Sequence, residues 1–320
     1  MKKYSIACVK KYIINSFRNK KVLLIGDTML DVYIYGDIIG EALDAPVPEV
    51  EERKISVSPG GNGLIANNIL ELGGKLTFIS IVGDDADAKF YDEFAHKNLK
   101  KIFLVDKTRR STVKRRWYAG GKKLLQVNKV DNHYLIPSLE KKLLSYIKQE
   151  VKKADVIVVM DPQHGMMTRR VIIEIIKIAK KHKKPFYVDA QISHRPSNHH
   201  LYKWADTMFL NQNEAKVVYS RFDIKKLQDS LRAIQKKLRL NNVIVKLGAR
   251  GSAVLWAGQF IRTSPYKVKT VDVCGAGDAF LAAFSLGDRN KPEESLEIAN
   301  KWAALSTTIH GTIPPKRKML

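Results

Sequence analysis

The stretch "VDVCGAGDAF" (residues 271–280) decides how this sequence is interpreted. It places a Gly-Ala-Gly turn before an apolar helix, with Asp278 in the first helical turn. Gly275 and Gly277 let the backbone turn without a Cβ in the way, so their N–H groups and the helix N-terminus can face an anion. An aspartate there is equally typical of a plain helix cap. The stretch therefore indicates either a cap or an anion site whose carboxylate takes a proton from a hydroxyl.

Short apolar runs alternate with helical patterns along the chain. Each run is rich in β-branched residues and ends near Gly, Asp or Asn, as buried strands do. Helical patterns lie between them, such as residues 168–182 with isoleucines at near-helical spacing. This alternation predicts an α/β fold of three layers, with a mostly parallel sheet covered on both faces, in one domain over residues 1–320. The predicted strands are 21–26, 76–83, 155–160, 186–190, 207–211 and 242–248.

Polar residues follow these strands where a ligand site is expected. Ligands of parallel sheets bind at the carboxyl ends of the strands, so the side chains found there are the candidates for binding and chemistry. These candidates are Asp27, Asp31, Asp84, Asp161, Asp189, Asn211 and Lys246.

Two stretches interrupt the alternation. Residues 32–58 and 111–131 have the pattern of extended, antiparallel strands, and the second contains a Gly-Gly turn at Gly120 and Gly121. Both lie near the ends of predicted sheet strands. We expect them to form a small sheet that covers the site as a lid.

Composition excludes several classes of protein. The net charge of +24 is spread through the chain, and aromatic residues are not interleaved with the basic runs, so nucleic-acid binding is not expected. The two cysteines, Cys8 and Cys274, have no metal spacing and fit a reducing cytoplasm. No run reaches the roughly 18 apolar residues of a membrane span. The histidines at 194, 199 and 200 lack a zinc pattern, and no P-loop, dinucleotide fingerprint or G-x-S-x-G elbow is present.

The order of the remaining motifs, from about residue 20 to about residue 312, resembles the ribokinase-like (PfkB) carbohydrate kinase family. The most specific match is "DVCGAGDAF", and "PGGNG" is its weaker N-terminal counterpart. The resemblance implies a ribokinase-like fold and an ATP- and Mg²⁺-dependent sugar kinase. The matching motifs are "GDTMLD" (26–31), "PGGNG" (59–63), "NQNE" (211–214), "KLGARG" (246–251) and "DVCGAGDAF" (272–280).

The resemblance also implies roles on the nucleotide side. Asp278 would be the catalytic base, and an aspartate so near a helix N-terminus is expected to have a low pKa. The anion hole would be Gly275, Ala276 and Gly277. Glu214, with Asn211, would order magnesium through water. Lys246, Gly248 and Gly251 would line the nucleotide site, and Asn300 would lie near the adenine.

On the acceptor side, the resemblance assigns Asp31 to the sugar hydroxyls. The other acceptor-side residues it implies are Gly60, Gly61, Asn68, Lys114, Arg116, Lys129 and Asp161.

Within the family the chain is similar to heptose-7-phosphate kinases of lipopolysaccharide inner-core synthesis. "DAPVP" (44–48) and the T-x-K-x-R stretch at residues 112–116 carry this likeness. It implies D-glycero-D-manno-heptose 7-phosphate as acceptor and the 1,7-bisphosphate of the ADP-heptose pathway as product. Leu64 and Gln191 depart from the pattern on the acceptor side. Another sugar or a nucleoside as acceptor, or a degenerate non-enzymatic regulator that binds sugar or nucleotide, are the alternatives.

The second lid stretch is strongly basic. If residues 112–118 form a strand, Lys114 and Arg116 share a face, and Lys129 could join them across the turn. A phosphate on the acceptor would supply the anion that three such cations need. A solvated lysine-rich surface is the alternative. The apolar residues of the lid also suggest that two chains pair there as a homodimer.

Overall fold

A computed structural model describes residues 17–320, so Cys8 and the basic N-terminal stretch lie outside the described residues. The larger of its two sheets has nine strands in the order β13-β12-β11-β10-β9-β8-β1-β4-β5. All strands from β11 to β5 in that order run parallel, and β12 and β13 are added antiparallel at one edge. These strands are β1 (Lys21–Ile25), β4 (Lys75–Val82), β5 (Leu99–Val105), β8 (Val156–Asp161), β9 (Phe186–Ala190), β10 (Thr207–Asn211), β11 (Asn242–Lys246), β12 (Ser252–Trp256) and β13 (Gln259–Thr263).

Helices cover both faces of this sheet because its strands are apolar on both sides. Alternate side chains of β1 show this: Leu23 lies in one buried cluster and Leu24 in the other. The predicted α/β fold with helices on both faces is therefore confirmed. The first face carries α2 (Pro137–Glu150), α3 (Arg169–Lys181), α4 (Gln212–Val218) and α5 (Leu227–Leu238), and the second carries α1 (Asn62–Glu71), α6 (Ala276–Leu286) and α7 (Pro292–Ser306).

The smaller sheet, here called the lid, comes from the two stretches that interrupt the alternation. It has four strands in the order β3-β2-β6-β7. Two pairings are antiparallel hairpins as expected, but the central β2–β6 pairing is parallel, because each hairpin leaves the core in the same direction. Its strands are β2 (Thr28–Glu41), β3 (Pro48–Gly61), β6 (Val113–Ala119) and β7 (Lys122–Lys129).

No helix within residues 17–320 combines the length and the apolar content that crossing a membrane requires.

Candidate active site

The carboxyl ends of neighbouring strands meet the N-terminus of α6 at one pocket. β9, β10 and β11 are adjacent in the sheet and bring Asp189, Asn211 and Lys246 together. The pocket has a volume of about 490 Å³. Its lining residues are Asp189, Gln191, Asn211, Gln212, Asn213, Glu214, Lys216, Lys246, Gly248, Gly275, Gly277 and Asp278.

The Gly-Ala-Gly turn starts α6 in the way an anion site requires. Gly275 has a left-handed backbone (φ 80°), and a Cβ there would also collide with the side chain of Leu64. The amide of Ala279 donates to the Gly275 carbonyl at 2.9 Å and closes the first helical turn. The amides of Gly277 and Asp278 precede that bond, at the positions where a helix presents N–H groups to an anion.

The carboxylate of Asp278 is available for chemistry. It forms no hydrogen bond or ion pair with the residues that the structure describes, and it borders the pocket. Burial, followed by the nearby Asp189 carboxylate, raises the pKa of Asp278 to about 7, although Lys246 acts in the opposite direction. The expectation of a low pKa is therefore wrong, because burial and a like charge outweigh the helix N-terminus. A carboxylate with a pKa near neutrality suits proton abstraction at physiological pH.

Asp189 was among the strand-end candidates, but no role was assigned to it. It forms an ion pair with Lys246, and burial together with Asp189 raises the pKa of Glu214. Lys246 stays charged, because the carboxylates of Asp189 and Glu214 outweigh burial and raise its pKa. Asp189 thus holds Lys246 in place and helps to raise the pKa values of Glu214 and Asp278.

Asn211 and Glu214 cap the helix that starts at the pocket. The Asn211 side chain accepts from the Glu214 amide at 2.9 Å, and the Glu214 carboxylate accepts from the Asn211 amide at 2.6 Å. This reciprocal capping box fixes Glu214 at the pocket wall. Asn211 and Glu214 therefore both cap the helix and line the pocket.

Asp31 and Arg116 form a buried ion pair on the inner face of the lid. Their side chains are 3% and 10% exposed, and Arg116 Nη1 lies 2.5 Å from Asp31 Oδ1. A Cβ on Gly60 would collide with the Asp31 carboxylate, and the Arg116 guanidinium lies 5.2 Å from the centre of the Tyr33 ring. Asp31 is thus held rigidly, with Gly60 leaving the room that its carboxylate needs.

Lys114, two residues before Arg116, lies in the same surroundings without a direct partner. Its ammonium forms no hydrogen bond or ion pair with any residue from 17 to 320. Burial lowers the pKa of its ammonium, and the carboxylates of Asp31 and Asp278 act to raise it. An ammonium without a direct partner can bind an anion that enters the site.

Comparisons with known proteins decide the family. Residues 19–319 match the family described as "pfkB family carbohydrate kinase". The chain belongs to this family. It is thus a phosphotransferase with a hydroxyl acceptor, as the sequence predicts.

Curated relatives of this carbohydrate kinase include the "Bifunctional protein HldE" of Helicobacter pylori strain J99, 29% identical over 294 residues, which cover 89% of this chain and 62% of that protein. The protein of the same name from Nitrobacter winogradskyi is 28% identical over 307 residues, covering 93% of this chain and 62% of that protein. The chain spans less than two thirds of the length of these relatives.

Solved structures share the fold. Escherichia coli phosphofructokinase-2 in complex with potassium superposes with a TM-score of 0.78 at 18% identity, covering 94% of this chain and 96% of that one. Arabidopsis thaliana ribokinase complexed with ribose and ATP gives 0.70 at 18% identity, covering 94% and 97%. The predicted ribokinase-like fold is therefore confirmed.

The register of the lid corrects the predicted position of Lys129 in this kinase. Lys129 pairs with Val113, whereas Lys114 pairs with Asn128, so Lys129 points to the opposite face of the sheet. It is also held by Asp85 and Asp87. The prediction that it joins Lys114 and Arg116 is wrong, because neighbouring residues of a strand face opposite sides.

Asn68 and Asp161 are structural residues in this kinase. Asn68 is fully buried, donates to the Leu64 carbonyl at 2.8 Å and accepts from the Trp302 indole at 2.7 Å. Asp161 is also fully buried, and its carboxylate accepts from the Gln163 amide at 2.8 Å. It also accepts from the side chains of Asn198 at 2.6 Å and Tyr202 at 2.7 Å. Both side chains are engaged within the protein, which corrects their assignment to the acceptor.

Three further residues were predicted for the nucleotide site, and the pocket is bordered by Gly248 but not by Gly251 or Asn300. Gly248 borders the pocket with open space where a Cβ would be. Gly251 packs against the Thr263 carbonyl in a left-handed conformation, so its glycine serves the turn. Asn300 donates to Ser252 and Thr263 at 3.0 and 2.6 Å. Gly61 completes the acceptor side, with φ 54° and the side chain of Met29 where a Cβ would lie.

The pKa of Asp278 predicts how the rate of this kinase depends on pH. A base must be deprotonated to act, so kcat/KM should rise with pH and reach half of its plateau near pH 7 in the wild type. Replacing the neighbouring carboxylate by Asp189→Asn removes a like charge and should move this midpoint to lower pH. Initial rates between pH 5 and 9 at constant ionic strength measure it, and a profile that is flat in this range would contradict the assignment.

Proposed function

We propose that this protein is an ATP-dependent kinase that phosphorylates a hydroxyl of a sugar phosphate, most specifically D-glycero-D-manno-heptose 7-phosphate. The observation that carries the proposal is the unpaired ammonium of Lys114 on the inner face of the lid, near both Asp31 and Asp278. A neutral sugar offers it no counter-charge, whereas a phosphorylated one does. The likeness to heptose-7-phosphate kinases and the curated relatives named HldE support the same acceptor.

In this mechanism the residues of the chain position the reactants and manage one proton. The Asp31 carboxylate accepts hydrogen bonds from acceptor hydroxyls, while Arg116 keeps it oriented. Asp278 accepts the proton of the attacking hydroxyl. The amides at the start of α6 stabilise the negative charge on the phosphoryl group during its transfer. Phosphoryl transfer needs positioning and charge stabilisation more than covalent help, and this site offers both.

The pocket also fits a magnesium ion that accompanies ATP. Mg²⁺ prefers oxygen ligands and keeps several waters, so one or two carboxylates and the nucleotide phosphates suffice. Within residues 17–320 no group of three or more His, Cys, Asp or Glu is placed to hold a metal alone. Glu214 would order the ion through water, with Asp189 nearby. The ion would neutralise charge on the phosphates, and the chain would orient it.

Activity should therefore depend on magnesium and on Glu214. We expect Glu214→Gln to raise the Mg²⁺ concentration for half-maximal rate about tenfold, as loss of a residue that orients a metal typically does, while the glutamine still caps α4. Excess EDTA should abolish turnover of the wild type. Glu174→Gln, which breaks only the exposed pair with Lys177, is the control. Full activity in EDTA would refute the metal.

The acceptor is tested by ATP consumption against a matched panel. We expect heptose 7-phosphate to be used with a higher kcat/KM than free heptose, ribose, fructose 6-phosphate or a nucleoside. Lys114→Met should remove the preference for the phosphorylated over the free heptose while leaving the KM for ATP nearly unchanged. Equal use of free and phosphorylated heptose by the wild type would exclude the proposed acceptor. Failure to consume ATP with any acceptor would favour a non-enzymatic regulator.

We also propose that two chains pair through the outer face of the lid. Residues on the face of the lid opposite Asp31 are mostly apolar, with Arg115 among them between Val32 and Val127. A patch this apolar marks a contact surface. The exposed members are Ile55 (53% exposed), Val57 (43%), Leu125 (55%) and Val127 (46%).

Leu125→Asp should convert the dimer to a monomer, because a charge in the centre of an apolar interface is not compensated. Ile173→Asp, on an exposed position of α3, is the control and should leave assembly unchanged. Sedimentation velocity of the wild type and both variants measures the outcome. A wild type that sediments as a monomer at micromolar concentration would contradict the pairing.

We place the proposed kinase activity in the cytoplasm, where ATP and sugar phosphates occur.

A further inference from the structure

One exposed tryptophan lies near the end of the main sheet where its parallel strands begin, opposite the active site at their carboxyl ends. Trp204 is 48% exposed and has a left-handed backbone (φ 74°), and its amide donates to the Leu238 carbonyl at 3.0 Å. It borders a cleft of about 380 Å³ that also contains Phe186, the first residue of β9. The active site contains Asp189, near the other end of the same strand. The cleft is thus separate from the kinase site.

The ends of two helices surround Trp204 with cations. Lys180, in the last turn of α3, places its ammonium 4.8 Å from the centre of the indole ring. Arg239, directly after α5, places its guanidinium 4.7 Å from the same centre. We call the following residues the Trp204 patch: Lys180, Lys181, Lys183, Lys184, Lys203, Trp204, Lys236, Lys237 and Arg239.

The cations of the Trp204 patch have no carboxylate partners. None of them forms an ion pair with a residue between 17 and 320. Two acidic side chains near the patch in the chain have other partners, since Glu174 pairs with Lys177 and Asp206 pairs with Arg289. The patch therefore presents uncompensated positive charge on both sides of an exposed aromatic ring.

Cations at a helix C-terminus are common because they complement the helix dipole, and this explains part of the patch. It does not explain an indole left half exposed between two such ends. A cation over an exposed aromatic ring contributes less binding free energy than a nucleobase stacked on the same ring. A base can therefore displace one cation from the ring, and the displaced cation can then meet a phosphate.

We propose that the Trp204 patch binds single-stranded nucleic acid, with a base stacked on Trp204 and backbone phosphates on the surrounding lysines. An aromatic platform inside a basic groove binds single strands with little sequence preference. The concave cleft beside the indole suits a base better than a flat lipid surface. The sequence made this class unexpected because aromatic residues are not interleaved with the basic runs, but folding brings Trp204 to the run at residues 180–184.

The test is binding of a fluorescein-labelled oligouridylate of about 15 nucleotides, followed by anisotropy at several salt concentrations. Trp204→Ala should weaken binding about tenfold, as the loss of one stacked base predicts, and Trp204→Phe should restore most of it. Lys180→Gln/Lys183→Gln should weaken binding and reduce the slope of log K against log salt by about 1.4, since each phosphate contact to a single strand contributes about 0.7.

The matched control is Lys141→Gln/Lys142→Gln, which removes two exposed lysines of α2 and lowers the net charge equally. It should leave binding nearly unchanged, and all variants should keep the kinase activity of the wild type, which shows that they are folded. Equal losses in both double variants, or a Trp204→Ala protein that binds like the wild type, would overturn the proposal. So would competition by phosphatidylglycerol vesicles that depends on Trp204, since the partner would then be an acidic lipid surface.

Discussion

Asp278→Asn should reduce kcat by about 10²–10⁴-fold while leaving ATP affinity nearly unchanged, because the variant keeps the shape of the site and loses only the proton acceptor. The same change should stabilise the fold. The pKa of Asp278 is raised from 3.8 to about 7 in the folded protein, so the native state holds a proton that the unfolded chain has lost. The free energy of unfolding therefore falls by about 2–4 kcal/mol as pH rises through this range. Asp278→Asn does not titrate, so the variant avoids this loss. Single-turnover kinetics and thermal unfolding at pH 5 and pH 8 measure both effects.

Asp27→Asn is the matched control for this experiment. Burial, followed by the Asp161 carboxylate, raises the pKa of Asp27 to about 7 as well, and one of its carboxylate oxygens is buried without a partner. Asp27 does not border the nucleotide pocket. We expect this variant to gain stability at pH 8 like Asp278→Asn but to keep turnover within a fewfold of the wild type. Near-full activity of Asp278→Asn would remove Asp278 as the base.

Arg116→Ala should destabilise the protein by about 3–5 kcal/mol, because it leaves the buried Asp31 carboxylate without its counter-charge. The KM for the acceptor should rise as well, since the carboxylate that would hold its hydroxyls loses its orientation. Chemical denaturation and initial rates measure the two effects. Arg110→Ala is the control: Arg110 pairs with Asp131 at 2.6 Å but is 60% exposed, so its loss should leave the stability of the protein nearly unchanged.

The double variant Asp31→Asn/Arg116→Ala separates the two contributions of the pair. Removing the buried charge together with its partner should recover most of the lost stability. It should not recover acceptor binding, because asparagine offers the hydroxyls a weaker acceptor than a carboxylate. Recovery of both properties would show that the pair is structural only.

The strands that the sequence predicts correctly are those buried on both faces. β9 and β10 have the predicted bounds, because continuous apolar runs between turn residues identify buried strands. β5 was not predicted, since it lies at the sheet edge and its lysines interrupt the apolar run. β12 and β13 were also not predicted, because they form an antiparallel hairpin that adds to a parallel sheet without an intervening helix.

The parts of the site that the sequence could not supply depend on partners distant in the chain. The pKa of Asp278 depends on Asp189, which is placed beside it only by the order of the strands. The face of Lys129 depends on a strand register that one residue reverses. Asn68 is recognised as structural only once Trp302 is found against it. By contrast, Gly60 and Gly275 lie where a Cβ would collide with the side chains of Asp31 and Leu64. Such glycines are part of the motifs and can be recognised in the sequence.

The alternation along β2 has a consequence for how this enzyme can evolve. Asp31 and Tyr33 lie on the inner face of the lid, where we propose that the acceptor binds, while Val32 and Ile34, in the same strand, lie on the outer face, where we propose that two chains pair. Point substitutions can therefore change acceptor choice or self-association separately, depending only on whether the position is odd or even. A single inserted residue would exchange the two faces beyond it and destroy both properties together. We expect natural variants of this strand to differ by substitution and to be intolerant of length change between residues 28 and 35.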